Sequence, residues 1–233
     1  MMIKTLIIAE AGVNHNGSLD MALELVDQAH ACGADIIKFQ TFKAGKLLTD
    51  KVEKAGYQKA STDRNESQYE MIKKLELSDE AHRILHRRCR ELGIDVAQLG
   101  TAQPEWCFDG ADEVNARNWL IKGRGGALFK EKIVFRSAKK RFIVVDASKR
   151  VEKLGTHFAV PIEVFPGALP LVQTELAALG ARSVEIRSGE GKDGPTITES
   201  GNLILDTRFA EIDEGLEKAI NSITGVIENG LFI

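Results

Sequence analysis

Residues 5–40, TLIIAEAGVNHNGSLDMALELVDQAHACGADIIKFQ, contain the pattern of a strand, a helix and a second strand. The strands are predicted over Thr5–Glu10 and Ala34–Gln40, two short apolar runs, and the helix over Leu19–Ala31. Strands joined through a helix by such short connections form parallel, right-handed βαβ units. This stretch therefore predicts a parallel α/β fold at the start of the chain.

The predicted helix has recognisable ends. Ser18 can cap its first turn, and Gly33 stands where a helix commonly ends. Met21, Leu25 and Ala29 recur at helical spacing, so they are predicted to form the buried face.

The alternation of strands and helices continues beyond residue 40. Thr41–Tyr69 is polar and weakly periodic, which predicts a long excursion. After it we expect a helix opening at Ser78 and running to Leu92, strands over Ile94–Gln98, Trp106–Asp109 and Arg141–Asp146, and a helix over Ala127–Ala138.

The last third of the chain has a different order of elements. We expect strands at Val160–Val164, Ala181–Arg187, Ile197–Thr207 and Val226–Phe232, and helices at Ala168–Leu179 and Asp213–Ile223. The order β-α-β-β-α-β is that of the ferredoxin-like split motif. The predicted fold is thus α/β, a Rossmann-like parallel sheet followed by a small ferredoxin-like α+β subdomain.

Composition excludes several classes of protein. The chain has 233 residues, 31 Lys+Arg against 34 Asp+Glu, and a formal charge of −3. The sequence has no basic face or tail, so we expect no nucleic-acid partner. No apolar run approaches the ~18 residues of a membrane span, so we expect no membrane partner. Cys32, Cys89 and Cys107 fit no zinc spacing, so reduced thiols in a cytoplasmic protein are expected.

Five charged residues lie at or near successive predicted strand ends in the middle of the chain, with Glu131 inside the predicted helix: Asp109, Asp112, Lys122, Glu131 and Lys149. Ligands of open α/β sheets bind at the carboxyl ends of the strands, which favours a site here. The glycine run after Lys122 could bring backbone N–H groups to an anion. Taken singly, these features also fit a solvated acidic turn, a flexible glycine turn and a surface ion pair.

As a set, they suggest proton abstraction next to a carbonyl. That chemistry needs a carboxylate base and cations that hold an oxyanion, and sugar aldose–ketose interconversion is an example. Because no histidine lies between Asp109 and Lys149, we expect a metal-free enediolate mechanism without a cofactor.

Three segments, FDGADEVN (108–115), LIKGRGGALFKEKI (120–133) and FIVVDASKRVEKLG (142–155), resemble the type A ribose-5-phosphate isomerase family, as does the chain over about residues 101–233. The resemblance implies that Glu131 moves a proton between C2 and C1 of the opened sugar. It implies that Lys122 and Lys149 bind the oxyanion or the phosphate, and that Asp109 and Asp112 assist ring opening and orient hydroxyls.

The resemblance also implies substrate-binding positions at Gly123, Gly125, Gly126 and Ser148, and a homodimer or homotetramer that acts on a small sugar phosphate in the pentose phosphate pathway. Arg124 stands where that family has glycine, so its side chain could crowd the loop or add a phosphate contact. Lys130 replaces the arginine usual before the base.

The first hundred residues resemble a different family. IIAEAGVNHNGSLDMA (7–22) and GADIIKFQTFKAGKL (33–47) are similar to the start of sialic acid (N-acetylneuraminate) synthases, over about residues 5–95. That family condenses phosphoenolpyruvate with an amino sugar on a TIM barrel, using a divalent metal. The resemblance implies active-site positions at Glu10, Lys38 and Gln40, although these residues also fit plain strand ends.

The chain is therefore predicted to be a chimera of two families. Its expected segments are a synthase-like βαβα segment (1–95), an isomerase catalytic α/β segment (96–155) and a ferredoxin-like subdomain (156–233). With 233 residues it is shorter than the roughly 250 of a (β/α)₈ barrel. The leading expectation is ribose-5-phosphate isomerase activity; the alternatives are a synthase-like condensation and an inactive fusion or truncated product.

Overall fold

The fold is that of a computed structural model of the protein. The residues that it describes are 7–44, 68–96, 103–188 and 194–233. The chain divides into two compact units, Met1–Gln98 and Leu99–Ile233. Within the described ranges, no helix combines the length and the apolar character needed to cross a bilayer.

The first unit begins with the predicted βαβ element. Strand β1 (Ile8–Gly12) lies parallel to β2 (Ile36–Phe39), and helix α1 (Leu19–Ala31) connects them. Ser18 caps α1, because its hydroxyl oxygen accepts a hydrogen bond of 3.2 Å from the Met21 N–H. The helix bounds and the cap are as predicted, whereas both strands are shifted or shortened.

Two further helices follow, α2 (Gln68–Lys74) and α3 (Asp79–Glu91). Ser78 caps α3 as expected, whereas α2 has no counterpart among the predicted elements. Most of the predicted excursion, residues 45–67, lies outside the described residues. The strand expected over 94–98 is wrong for residues 94–96, which adopt no regular structure, and residues 97 and 98 are not described.

The buried face of α1 differs from the predicted one. Ala22 and Val26 are fully buried against α3, whereas Met21 is 41% exposed. The apolar stripe is therefore displaced by one residue, because the small side chain of Ala22 permits the closer approach of α3.

In the second unit, β3 (Trp106–Asp109) lies parallel to β6 (Lys140–Ile143), and α4 (Leu128–Ser137) comes between them in the chain. Strand β6 ends before the predicted Asp146, since the chain turns into a short 3₁₀ helix at Ala147–Lys149. The two parallel pairs, β1–β2 and β3–β6, confirm the predicted α/β class.

The ferredoxin-like subdomain is confirmed. It consists of β7 (Val160–Val164), α5 (Leu169–Ala178), β8 (Ala181–Ile186), β9 (Leu203–Phe209), α6 (Leu216–Asn221) and β10 (Val226–Asn229). The sheet is antiparallel with the order β10-β7-β9-β8, so its first and third strands are central. The predicted bounds around 95 and 155 stay predictions.

A three-stranded antiparallel sheet was not predicted. It consists of β4 (Glu113–Val114), β5 (Leu120–Ile121) and β11 (Leu231–Phe232), with β5 in the centre. Strands of two residues are too short to show an alternating pattern. Ile121 and Leu231 belong to the same hydrophobic core as the ferredoxin-like strands.

The predicted strand Val226–Phe232 divides at Gly230, so that β10 and β11 belong to different sheets. The Gly230 N–H donates to the Pro161 carbonyl at 2.7 Å, and the Gly230 carbonyl accepts from the Lys122 N–H at 2.9 Å. A Cβ at Gly230 would lie 2.2 Å from the Lys122 carbonyl oxygen, so no side chain fits here. The glycine thus ties the backbone of Lys122 to β7.

Candidate active site

Three of the predicted site residues meet in one ion cluster. Asp109 is the last residue of β3, Lys122 directly follows β5, and Glu131 lies in the first turn of α4. The Lys122 Nζ lies 2.9 Å from Asp109 Oδ2 and 3.2 Å from Glu131 Oε2, and it donates to the Gly110 carbonyl at 2.5 Å. Three oxygens therefore lie within 3.2 Å of the ammonium nitrogen, and the Gly110 carbonyl accepts a hydrogen bond from it.

The cluster has a buried cation and more accessible carboxylates. The Lys122 side chain is 4% exposed, against 27% for Glu131 and 46% for Asp109. A buried ammonium is stable only when it is paired, and the two carboxylates pair it. The carboxylates are thereby oriented around a fixed positive charge while they remain open to a ligand.

Glu131 has an unusual hydrogen-bonding state. Its Oε2 atom is buried and, among the described residues, has no partner in hydrogen-bond geometry. Its contact with Lys122 at 3.2 Å is an ion pair whose angles do not meet that geometry. The side chain as a whole is 27% exposed, so part of the carboxylate other than this buried oxygen is accessible.

Asp112 is held by backbone groups rather than by Lys122. Its N–H donates to the Ile121 carbonyl at 2.8 Å, and its Oδ2 accepts from the Arg124 N–H at 3.1 Å. Glu113, the next residue of the acidic loop, is fully buried, so the alternative of a solvated acidic turn does not hold for it. Its carboxylate accepts from the N–H groups of three residues, Gly155, His157 and Phe158.

The glycine-rich loop joins β5 to α4. Gly123 has a φ of +103°, and a Cβ there would lie 2.6 Å from the Leu128 Cβ, so glycine is required on both counts. The Gly126 N–H donates to the Gly123 carbonyl at 3.0 Å, which closes a tight turn. Gly125 lines a cavity of about 520 Å³ that Asp112 also lines.

Lys149 and Ser148 lie apart from the ion cluster, in the 3₁₀ turn after β6. The Ser148 N–H and hydroxyl both donate to the Asp146 carboxylate, at 2.8 and 2.5 Å, and these hydrogen bonds lower the pKa of Asp146. The Lys149 Nζ lies 5.3 Å from the ring centre of Phe158, and the Arg124 guanidinium lies 5.0 Å from the same centre.

Arg124 was expected either to crowd the glycine loop or to add a contact with a phosphate, and its surroundings bear on the first of these. The side chain is exposed, packs on the Phe158 ring and lines the 520 Å³ cavity. It does not crowd the glycine loop. Arg124 and Lys149 both contact the Phe158 ring, and of the two cations only Arg124 is among the described residues that line the cavity.

Two residues near the site were missed by the sequence analysis. Arg187, at the end of β8, and Asp206, in β9, line the same cavity, and Arg187 contacts the glycine-rich loop. Both are separated from the loop by more than sixty residues of sequence, and no local motif indicates the contact.

The synthase-like positions lie in the first unit. Glu10 and Lys38 occupy neighbouring positions of β1 and β2, and they form a half-exposed ion pair of 2.9 Å. Gln40 lines a separate cavity of about 260 Å³ with His15 and His82, and neither Glu10 nor Lys38 is among the described residues that line it. In residues 7–44, 68–96, 103–188 and 194–233, no three His, Cys, Asp or Glu side chains are grouped as metal ligands.

Two family models match the chain. The model described as ribose 5-phosphate isomerase A (phosphoriboisomerase A) matches residues 83–233, and the NeuB family model matches residues 25–103. The isomerase match begins earlier than the predicted residue 101, and the NeuB match begins later than the predicted residue 5. The two matches overlap over residues 83–103.

Curated relatives agree with the first model. Ribose-5-phosphate isomerase A of Thermosynechococcus vestitus is 48% identical over 147 residues, which are 62% of this chain and 62% of the relative. The enzyme of Methanothermobacter thermautotrophicus is 48% identical over 144 residues, 61% of this chain and 63% of the relative. The chain thus spans less than two thirds of the length of these relatives.

Solved structures of isomerases have a similar fold. Ribose 5-phosphate isomerase A of Methanocaldococcus jannaschii has a TM-score of 0.61 at 30% identity, covering 99% of this chain and 85% of the other. A D-ribose-5-phosphate isomerase in complex with phospho-erythronic acid has a TM-score of 0.60 at 31% identity, covering 99% and 84%. Since the isomerase model matches well over half of its residues, this chain belongs to the ribose 5-phosphate isomerase A family.

Proposed function

We propose that this protein interconverts ribose 5-phosphate and ribulose 5-phosphate through an enediolate, as an enzyme of the pentose phosphate pathway. The observation that carries the proposal is the buried Lys122 ammonium between the carboxylates of Asp109 and Glu131. Proton transfer next to a carbonyl requires a carboxylate base and a cation close to the developing oxyanion.

Glu131 is the proposed base. It takes the proton from C2 of the open-chain aldose, and the electron pair of that bond forms the C1–C2 double bond of the enediolate. The proton then returns to C1, while O2 loses its proton and O1 gains one, which gives the ketose. The position of Glu131 beside the Lys122 ammonium, with a side chain that is 27% exposed, supports this assignment.

The other site residues are proposed to bind and polarise the sugar. Lys122 would stabilise the oxyanion, and Asp109 and Asp112 would assist ring opening and orient hydroxyls. Arg124, which lines the cavity, and Lys149, which contacts the same Phe158 ring, would bind the phosphate. The further proposed contacts with the substrate are Gly123, Gly125, Gly126 and Ser148.

A cavity lined by Asp112, Arg124 and Gly125 supports a substrate of this size, although Asp109, Lys122 and Glu131 are not among the described residues that line it. Its volume of about 520 Å³ falls in the ordinary range for small-molecule sites. The proposal includes action in the cytoplasm and assembly as a homodimer or homotetramer. Light scattering on the purified protein can test the oligomeric state.

The experiment is a direct assay of the whole protein. Ribose 5-phosphate is supplied, the formation of ribulose 5-phosphate is followed, and phospho-erythronic acid is added as a competitor. We expect turnover and competitive inhibition.

Two other outcomes would contradict the proposal. Phosphate release from phosphoenolpyruvate that depends on an amino sugar and a divalent cation would instead support the synthase-like alternative. If neither activity is detected and the protein unfolds cooperatively, which shows that it is folded, the result would support an inactive fusion.

A further inference from the structure

Arg187 uses most of its hydrogen-bonding capacity at the glycine-rich loop. Its Nη1 donates to the Gly123 carbonyl at 3.0 Å and to the Arg124 carbonyl at 2.9 Å. Its Nε and Nη2 donate to the two carboxylate oxygens of Asp206, at 2.9 and 2.5 Å. With a side chain only 15% exposed, the guanidinium is fixed between the ferredoxin-like sheet and the loop.

The loop needs an external support because of its composition. Three of the four residues after Lys122 are glycines, which give the backbone wide conformational freedom. The Arg124 peptide is held on both sides, since its N–H binds Asp112 and its carbonyl binds Arg187. Arg187 therefore completes the set of contacts that keeps Asp112 and Lys122 in register.

We propose that Arg187 is a positioning residue for the glycine-rich loop and, through the loop, for Lys122 and Asp112. This inference rests on the proposed isomerase function for its kinetic consequence. The planar fork of arginine is essential to it, because one lysine ammonium cannot bind the Asp206 carboxylate and two carbonyl groups in the same geometry.

The test compares Arg187→Lys with Arg182→Lys, a control in which the same substitution is made at an exposed position of β8. We expect Arg187→Lys to lower kcat by about 10- to 100-fold, since small displacements of reacting groups are costly. The KM should change less than kcat, because Arg187→Lys keeps a cation at the wall of the cavity. Hydrogen exchange at the amides of residues 123–126 should become at least about tenfold faster.

Chemical rescue separates positioning from general stability. In Arg187→Ala, added guanidinium ion should restore part of kcat, whereas added methylammonium should not. If the wild-type protein turns over ribose 5-phosphate and Arg187→Lys has the same kcat, the inference is overturned.

If the wild-type protein itself has no isomerase activity, the proposed function fails and loop exchange decides the inference alone. Faster exchange of the loop amides in Arg187→Lys but not in Arg182→Lys supports the positioning role of Arg187. Equal exchange in both variants overturns it.

Discussion

The buried Lys122 ammonium is surrounded by three oxygens, from Asp109, Gly110 and Glu131. Its backbone is fixed as well, since its N–H donates to Gly230. Charge and position are thus specified by separate contacts, which suits a group that meets an oxyanion without rearranging.

Replacement of this cation should be costly for catalysis. We expect Lys122→Met to lower kcat/KM by about 10²- to 10³-fold, the usual loss when a donor to a developing oxyanion is removed. Steady-state kinetics would measure the change, with circular dichroism as a check of folding. Lys140→Met, at an exposed position of β6, is the control and should leave kcat/KM unchanged. A loss of less than about tenfold in Lys122→Met would contradict the role.

Arg124 offers a prediction about substrate affinity. Because its guanidinium lies at the cavity edge and forms no ion pair with any described residue, Arg124→Met should raise KM for ribose 5-phosphate by about tenfold. The kcat should change less than about threefold. An unchanged or lower KM would indicate that the arginine does not bind the phosphate.

Helix α4 carries two neighbouring charged residues with different roles. Glu131 is the proposed base, and Lys132 attaches the helix to the elements behind it. The buried Lys132 ammonium donates to Glu217 in α6 and to Glu228 in β10, at 2.9 Å each. Arg136, one turn later, also donates to Glu217 at 2.8 Å. This network attaches the helix to the ferredoxin-like subdomain.

Loss of the Lys132 charge should destabilise the fold. Lys132→Met leaves two mostly buried carboxylates without their main partner, so the free energy of unfolding should fall by about 3 kcal/mol. Denaturant unfolding would measure it. The control, Lys130→Met, removes an exposed lysine from the same helix and should cost less than about 1 kcal/mol. Equal effects of the two variants would contradict the anchoring role.

Glu217 predicts a pH dependence of stability. Burial alone would raise the pKa of Glu217, but Lys132, the Ile233 N–H and Arg136 outweigh it, so the pKa lies below the ordinary 4.5. In acid, the unfolded state therefore binds the proton first. The stabilisation is complete above about pH 4.5 and is lost as the pH falls through the lowered value.

Glu217→Gln should accordingly show a shallower loss of unfolding free energy between about pH 5 and pH 3. Glu175→Gln, at an exposed position of α5, should keep the wild-type slope. Parallel slopes for all three proteins would refute the assignment.

Local signals predicted some elements well and others not at all. Ser18 and Ser78 marked helix starts correctly, because a capping hydroxyl acts within one turn. Strands β4 and β5 are two residues long and gave no periodic signal. The division of Val226–Phe232 depends on the close approach of Lys122 and Pro161 to Gly230, which only the folded chain shows.

The same distinction applies to the site. Five charged residues were predicted through strand ends and motifs, and three of them, Asp109, Lys122 and Glu131, form one ion cluster. Arg187 was not found, because its role depends on two loop carbonyls that are remote in sequence. Contacts between remote backbone and side-chain groups leave no pattern in a single sequence.

At the scale of the whole molecule, two family matches share one chain and overlap over residues 83–103. Every residue of the proposed isomerase site lies in the second compact unit, Leu99–Ile233. The synthase-like Glu10 and Lys38 lie in the first unit and neutralise each other on its surface. The proposed isomerase chemistry therefore belongs to the second unit.

The most direct test follows ribose 5-phosphate in D₂O by NMR, comparing the whole wild-type protein with Glu131→Gln. The wild-type protein should form ribulose 5-phosphate, with deuterium at C1 wherever the transferred proton exchanges with solvent. Glu131→Gln should slow both turnover and exchange by at least about 10²-fold, since an amide cannot accept the C2 proton. Isomerisation by Glu131→Gln at near the wild-type rate would contradict the central claim.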